Sequence, residues 1–379
     1  MTDVKDYATR SLASVQALRA VAAMLVLVGH TVSNINHAAA ATGAPTPAAV
    51  HVPGGFGVDL FFAISGFIMV ISSERLFGQP GAGRTFLERR LIRIVPLYWL
   101  ATLAYVPVLL AGSHGYPGNL AKALLTSLAL IPYPTYGVDS SGNIYPILQA
   151  GWTLNYEIFF YILFTACIAL PRRWSVCATI TSLVTIALAG QLIGSSAAAA
   201  RFWTQPIILE FAGGLCIAAL WMSRPRVHAS ICLALVVFAL AVLALDPLSL
   251  AHAAPGTSTP NDLRRVAGWG LPAAALLFAC VFLERASVSR GATMRILCFL
   301  GDCSYSLYLT HAFVLIFLIK LWEQWRLGAT LGITLLGVAA VGGSLGLAAA
   351  VHLTVEKTAT RTLRQWLARR SDPAGLVTA

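Results

Sequence analysis

Residues 12–32 read LASVQALRAVAAMLVLVGHTV, and this stretch decides the class of fold. A helix over it is about 30 Å long, which matches the hydrocarbon core of a bilayer. Arg19 and His30 are its only ionisable side chains. No small-residue cleavage site follows directly, so we expect the helix to be retained rather than removed as a signal peptide. The stretch therefore predicts a membrane-spanning helix that carries two functional candidates.

The composition of the whole chain extends this prediction. Of 379 residues, 58% are hydrophobic and 11% are charged, whereas soluble domains average about 45–50% and about 25%. So little polar surface excludes a disordered chain, a coiled coil and an ordinary cytosolic enzyme. Ten spans of about 20 residues each would use roughly 200 residues and leave room for loops.

We predict an all-α, polytopic membrane protein with about ten transmembrane helices. The expected spans are 12–32, 56–73, 92–112, 151–170, 175–194, 203–222, 229–246, 268–283, 298–320 and 329–353. The apolar run 120–131 is short and is stopped by Pro132 and Pro134, which predicts an interfacial or re-entrant helix. Residues 1–356 form the expected membrane domain, and residues 357–379 form a basic cytoplasmic tail.

The distribution of basic residues predicts the orientation. With the N-terminus in the cytoplasm, 19 of the 26 Lys and Arg residues fall inside. Six fall outside, among them Arg264 and Arg265 in the loop before the eighth span. Cytoplasmic loops carry such an excess, so both termini are expected in the cytoplasm. The net charge of +11 then indicates topology rather than binding to nucleic acid.

Arg19 and His30 share one face of the first span. Eleven residues correspond to three turns plus about 20°, and to about 16 Å along the axis. A fixed cation in the inner half is thus aligned with a titratable base in the outer half. The alternative is that Arg19 extends to the inner interface and His30 caps the outer end. The shared face favours a functional pair.

Two carboxylates are predicted at the depth of His30, namely Asp59 and Glu157 on spans that enter from outside. A carboxylate bonded to one ring nitrogen would fix the tautomer and leave the other nitrogen as a base. For Asp59 the alternative is a charge facing the positive end of its helix dipole. Trp152 and Tyr156 are candidates for an interfacial belt or for stacking on a sugar.

Arg90 and Arg93 lie three residues apart at the inner mouth of the third span. Guanidinium groups bind phosphate oxygens in bidentate fashion, so the pair suits a polyphosphate. The alternative is a basic loop that serves topology only. His311, in the ninth span, is equally compatible with a structural hydrogen bond and with the site. The cysteines and histidines show no paired ligand spacing, so no metal is expected.

Five motifs, taken in chain order, resemble those of the integral membrane acyltransferase family three. They are Arg19 with ten residues before His30, Phe61-Phe62-x-x-Ser65-Gly66-Phe67, Arg90-x-x-Arg93-Ile94-x-Pro96, Trp152-Thr153-Leu154-x-x-Glu157 and Tyr305-Ser306-Leu307-Tyr308-Leu309-x-His311. Together they cover nearly the whole chain. The family usually has a proline after the acidic residue of its last motif, and here Lys357 follows Glu356. No role is therefore carried over to Glu356.

The resemblance implies an enzyme of the bacterial inner membrane that O-acylates sugars of exopolysaccharides and other surface glycans. It implies a cytoplasmic acyl-CoA, most often acetyl-CoA, as donor, and no permanently bound cofactor. The acceptor is a hydroxyl of a sugar or lipid-linked glycan at the outer face. Membrane lipid and polysaccharide assembly proteins are the other candidate partners.

The site residues follow from the resemblance and the residue pattern together. His30 is the expected general base, oriented by Asp59 or Glu157, with Arg19 as its essential companion. Direct transfer and an acyl-His30 intermediate both fit the sequence. The expected ligands of the CoA are Arg19, Arg90 and Arg93, and the expected acceptor-binding residues are Trp152, Asn155, Tyr156 and His311.

Two other function classes remain open from the sequence. A transporter that flips a glycan or a lipid-linked sugar would also carry intramembrane charges, but it predicts inverted repeats and broken helices. A non-catalytic scaffold of a polysaccharide assembly complex needs no histidine–carboxylate cluster. Substitution of His30 would then be silent.

Overall fold

The computed structural model describes residues 12–42, 52–111, 118–137, 143–193, 195, 197–251, 261–286, 291–325 and 329–371. Over these ranges the protein is helical and contains no β-strand, which confirms the predicted all-α class. The helices are α1 (Ala13–Thr42), α2 (Phe56–Ser72), α3 (Ala82–Ala111), α4 (Leu120–Leu128), α5 (Trp152–Cys167), α6 (Arg172–Ile193), α7 (Ala198–Trp203), α8 (Leu209–Met222), α9 (Ala229–Leu245), α10 (Leu263–Arg265), α11 (Leu271–Ala286), α12 (Ala292–Trp325), α13 (Ala329–Val351) and α14 (Lys357–Ser371). Short π-helical segments, Val266–Gly270 and His352–Glu356, join α10 to α11 and α13 to α14.

Six helical segments in the described ranges are long and apolar enough to cross a membrane. They are Ala13–Ala39, Ala82–Ala111, Arg172–Ile193, Leu263–Glu284, Ala292–Gln324 and Ile333–Leu367. Three shorter apolar helices accompany them: Phe56–Ser72, Pro206–Met222 and Ala229–Leu245. The chain is therefore a multi-pass membrane protein. The total of about ten spans, the cytoplasmic position of both termini and the division at residue 356 stay predictions.

The apolar run 120–131 forms only the nine-residue helix α4. Nine residues extend about 13 Å, which is less than half of a bilayer core. Asn119 caps the helix by accepting a hydrogen bond from the backbone nitrogen of Lys122 at 2.9 Å. The segment is too short to span, as its sequence predicts.

Helices α3 and α10 are among those that begin earlier than the hydropathy pattern predicts. Helix α3 starts at Ala82 rather than at residue 92, so Arg90 and Arg93 lie in its third and fourth turns. Helix α10 starts at Leu263 because Asp262 accepts hydrogen bonds from the backbone nitrogens of the two residues that follow Leu263. Polar first turns lower the mean hydropathy of a window, although the backbone is already helical.

Small residues allow the helices around the site to approach closely. Helix α1 packs along α12 and α2, and α2 packs along α8. A Cβ atom on Gly301 of α12 would lie 2.1 Å from the carbonyl oxygen of Gln16 on α1. A Cβ atom on Gly214 of α8 would lie 2.1 Å from the carbonyl oxygen of Ala63 on α2. Such contacts are typical of membrane helix pairs and set the helix spacing.

We expect Gly301→Ala to destabilise the protein by about 1–3 kcal/mol, because the added methyl group forces α1 away from α12. Gly346→Ala is the matched control, since a Cβ atom there meets nothing within 4 Å. Thermal unfolding of both variants in detergent measures the difference. Equal unfolding temperatures would contradict the close packing of α1 on α12.

Candidate active site

A cavity of about 320 Å³ lies among α1, α2, α3, α5 and α12. Val58 and Ser72 both line it, and on α2 they are separated by about 21 Å along the axis. The cavity is therefore elongated along the helices. Its polar lining residues are Gln16, Arg19, Ser65, Ser72, Arg90, Arg93, Thr153, Glu157, Tyr161, Ser304, Tyr305 and Tyr308.

The cavity is lined by more positive than negative charges. Arg19, Arg90 and Arg93 contribute three guanidinium groups, and Glu157 contributes the one carboxylate. Arg93 makes no hydrogen bond or ion pair with a described residue. Low-dielectric walls strengthen the field of such a cluster. The cavity is therefore suited to an anionic ligand.

Arg90 is held in place at the end of the cavity that lies near the start of α3. Its guanidinium donates a hydrogen bond to Ser72 Oγ and lies 5.4 Å from the ring centroid of Phe86 and 6.0 Å from that of Tyr161. Cation–π contacts of this kind orient a guanidinium without neutralising it. Arg93 follows three residues later, so both predicted arginines face the same cavity.

Arg19 lies deeper along the cavity and is bound to neutral partners. Its two terminal nitrogens donate to Gln16 Oε1 at 3.0 Å and to Ser304 Oγ at 2.8 Å. The bond to Ser304, 285 residues away in sequence, holds the guanidinium against α12. It has no carboxylate within ion-pair distance among the described residues. Arg19 therefore keeps its charge available to a ligand.

Glu157 lines the cavity, but it does not contact His30. Its carboxylate accepts hydrogen bonds from the hydroxyls of Tyr161 and Ser65, the latter at 3.2 Å. Tyr161 lies four residues further along the same helix, and Ser65 lies on α2. The structure therefore places Glu157 with the arginines rather than with the histidine that it was expected to orient.

His30 is paired with His311 instead of with a carboxylate. The Nδ1 atom of His30 lies 2.8 Å from the Nε2 atom of His311. The ring of Tyr308, which lines the cavity, is 6.3 Å from the ring of His311 between centroids. The histidine pair is thus one side chain beyond the cavity. Among the described residues, no three His, Cys, Asp or Glu side chains form a metal-binding group.

Asp59 forms a buried ion pair with Arg265, which corrects the expected position of both residues. The Nε and Nη2 atoms of Arg265 donate to the two carboxylate oxygens of Asp59 at 3.0 Å and 2.7 Å. The side chains of Arg265 and Asp59 are 4% and 0% exposed, and Arg265 belongs to helix α10 rather than to a loop. Asp59 takes this partner because a buried carboxylate needs a close cation and bidentate geometry supplies one. It is not bonded to His30.

Two of the three acceptor-binding candidates on α5, Tyr156 and Trp152, have structural partners. Tyr156 is fully buried, stacks on Phe202 with ring centroids 4.0 Å apart, and donates a hydrogen bond to Gln205. Asn155 is 2% exposed. Trp152 is half-buried, with the guanidinium of Arg265 5.8 Å from its ring centroid. None of the three candidates lines the cavity, and a role in acceptor binding stays a prediction.

The structure adds residues that the sequence analysis did not select. These residues are Ser304 and Tyr308. With His311, which the sequence does predict, they follow one another at spacings of four and three on α12 and therefore lie on one helix face. Tyr308 Oη is 2.9 Å from Thr153 Oγ1 on α5. The spacing of four and three residues is the feature of the sequence that could have identified this helix face. Its importance becomes clear only when α12 is seen packed against α1.

The fold and the site together define a multi-pass helical membrane protein with a cationic cavity next to a pair of histidines. The family model described as an acyltransferase domain, acyltransferase family three, matches residues 12–349. The chain belongs to this family. It is an acyltransferase, and the transporter alternative is therefore set aside.

Named relatives agree with this assignment. The chain is 33% identical to the exopolysaccharide production protein ExoZ of Rhizobium meliloti (strain 1021), over 76% of this chain and 87% of the relative. It is 25% identical to the acyltransferase MdmB of Streptomyces mycarofaciens, over 85% of both chains. Protein 2 in the picA locus of Rhizobium radiobacter is 31% identical over 38% of this chain and 78% of the relative. No solved structure matches the chain significantly.

Proposed function

We propose that the protein transfers an acyl group, with acetyl as the expected one, from cytoplasmic acyl-CoA to a hydroxyl of a surface glycan. The acceptor is an exopolysaccharide or lipid-linked sugar at the outer face of the bacterial inner membrane. The observation that carries the proposal is the cavity with three guanidinium groups and one carboxylate, next to the His30–His311 pair. The similarity to a protein of exopolysaccharide production supports a glycan acceptor.

The nucleotide end of the donor is assigned to Arg90 and Arg93. Coenzyme A carries a pyrophosphate and a ribose phosphate, and guanidinium groups bind such oxygens in bidentate fashion. Arg93 has no partner among the described residues that would compete with a phosphate. The excess of basic residues at this end of α3 supports a cytoplasmic position for it, where acyl-CoA is available.

The pantetheine arm is assigned to the elongated part of the cavity. Its walls are largely apolar side chains of α2, including Phe61, Ile64 and Ile68. Arg19 lies along this path and has donors left over for a polar group of the arm. The thioester would then reach Tyr308, which lines the cavity and neighbours His311.

His30 is assigned the role of general base. It removes the proton of the acceptor hydroxyl as the hydroxyl oxygen attacks the thioester carbonyl. The carbon–sulfur bond breaks, the ester forms on the glycan, and the proton passes from the imidazolium to the CoA thiolate. This is direct transfer, and it needs no further reactant.

The test of the donor site is the double variant Arg90→Ala with Arg93→Ala. Loss of two charged hydrogen-bonding groups is expected to weaken acetyl-CoA binding by about 100-fold or more. Titration of acetyl-CoA into protein in nanodiscs measures it. Arg89→Ala is the matched control, because Arg89 is exposed on the same helix and does not line the cavity. Unchanged affinity in the double variant would show that Arg90 and Arg93 serve topology only.

A further inference from the structure

The hydrogen bonds around His311 define which ring nitrogens carry protons. His311 Nδ1 lies 3.1 Å from the carbonyl oxygen of Leu307, one turn earlier on α12. A carbonyl oxygen only accepts hydrogen bonds, so the proton must be on His311 Nδ1. The ring is 1% exposed, and such burial favours the neutral imidazole, which has a single N–H group. His311 Nε2 is therefore an acceptor.

The same logic extends to His30. Its Nδ1 atom lies 2.8 Å from the acceptor His311 Nε2, so Nδ1 must carry the proton. A neutral imidazole then has its lone pair on Nε2. No described residue forms a hydrogen bond with His30 Nε2, and the His30 side chain is exposed. The free lone pair is therefore accessible to a substrate hydroxyl.

We propose that His311 is a positioning residue that fixes the tautomer and the orientation of His30. The chain Leu307 carbonyl, His311, His30 does what a carboxylate does in a serine hydrolase triad, where loss of the correct tautomer lowers kcat by about 10⁴. Here the orienting group is neutral. This inference rests on the proposed function, since it is His30 Nε2 that acts as the base there.

A neutral partner has a distinct consequence during catalysis. When His30 takes the hydroxyl proton, its Nδ1–H continues to donate to His311 Nε2, and no second proton transfer is needed. Asp59 and Glu157 have no part in this step, because one is bonded to Arg265 and the other to Tyr161. The pair therefore sets geometry and tautomer, and it leaves the positive charge on His30.

Two variants separate a positioning role from a packing role. His311→Leu fills the space without an acceptor, whereas the side-chain oxygen of His311→Gln can still accept from His30 Nδ1. We expect His311→Leu to lower kcat by about 100-fold or more with the KM for acetyl-CoA unchanged, and His311→Gln to recover at least about tenfold. Thr310→Val is the matched control, because its hydroxyl bonds only the Ser306 carbonyl on the same helix.

The second readout is ¹⁵N NMR of histidine-labelled protein in nanodiscs, which does not depend on activity. The wild type is expected to carry the His30 proton on Nδ1, and His311→Leu is expected to shift it towards Nε2. A wild-type proton on Nε2, or a kcat of His311→Leu within about threefold of the wild type, would overturn the inference. If His30→Ala transferred at the wild-type rate, the proposed function would fail, and the tautomer measurement would still decide the role of His311.

Discussion

Replacement of His30 by alanine is expected to lower the rate of acyl transfer by about 10²–10⁴-fold, the range that general base catalysis contributes. Binding of acetyl-CoA is expected to be unchanged, because His30 does not line the cavity that holds the proposed donor. Acyl transfer and acetyl-CoA binding are expected to respond differently because His30 lies beyond Tyr308, whereas Arg90 and Arg93, the proposed phosphate ligands, lie in the first half of α3. Steady-state transfer and acetyl-CoA titration on the same nanodisc preparation measure them.

The control for this variant is on the same helix. His37 lies two turns beyond His30 on α1 and is also exposed, and we expect His37→Ala to transfer at the wild-type rate. If His37→Ala lost as much activity as His30→Ala, the loss would reflect a disturbance of this end of α1 and not a specific role of His30. Full activity of His30→Ala would show that His30 is not the general base.

Arg265→Leu is expected to destabilise the protein by about 3–5 kcal/mol, because it leaves the carboxylate of Asp59 buried without its cation. The double variant Asp59→Leu with Arg265→Leu is expected to recover most of that loss, since replacing a whole buried pair by apolar residues costs little. Arg264→Leu is the matched control. Its side chain is 63% exposed and pairs only with Asp262 at the surface, so little change is expected.

The same double variant tests the corrected role of Asp59. Because Asp59 is bonded to Arg265 and not to His30, the folded double variant is expected to keep kcat close to that of the wild type. Thermal unfolding and steady-state transfer give the two numbers. A double variant that is as stable as the wild type but no longer transfers the acyl group would show that Asp59 is part of the catalytic site. A single variant that unfolds like the wild type would contradict the buried pair.

Local patterns in the sequence were sufficient for the all-helical membrane class and for several residues around the cavity. Arg19 and His30 share a face by helical periodicity, and Arg90 and Arg93 share one for the same reason. Glu157 was selected because a carboxylate inside a span needs a partner. These predictions need only the positions of residues within one helix, and those positions follow from the local sequence.

Partners that are distant in sequence could not be predicted in the same way. His30 and His311 are 281 residues apart, and Asp59 and Arg265 are 206 residues apart. Asp59 and Glu157 are expected near His30 from the sequence because it predicts only how deep each residue lies in the membrane. Which side chains meet at one depth depends on helix packing, and that packing is set by small residues such as Gly301 and Gly214.

Acyl transfer to a glycan is measured most directly with a labelled acetyl group. Purified protein in nanodiscs is incubated with acetyl-CoA labelled in the acetyl carbonyl and with exopolysaccharide from cells that lack this protein. We expect label to enter the polysaccharide as an alkali-labile ester, and we expect His30→Ala and the Arg90, Arg93 double variant to lower this transfer by about 100-fold or more. Folded protein that binds acetyl-CoA but leaves all label on the CoA, or releases it only as acetate, would contradict acyl transfer from CoA to the glycan.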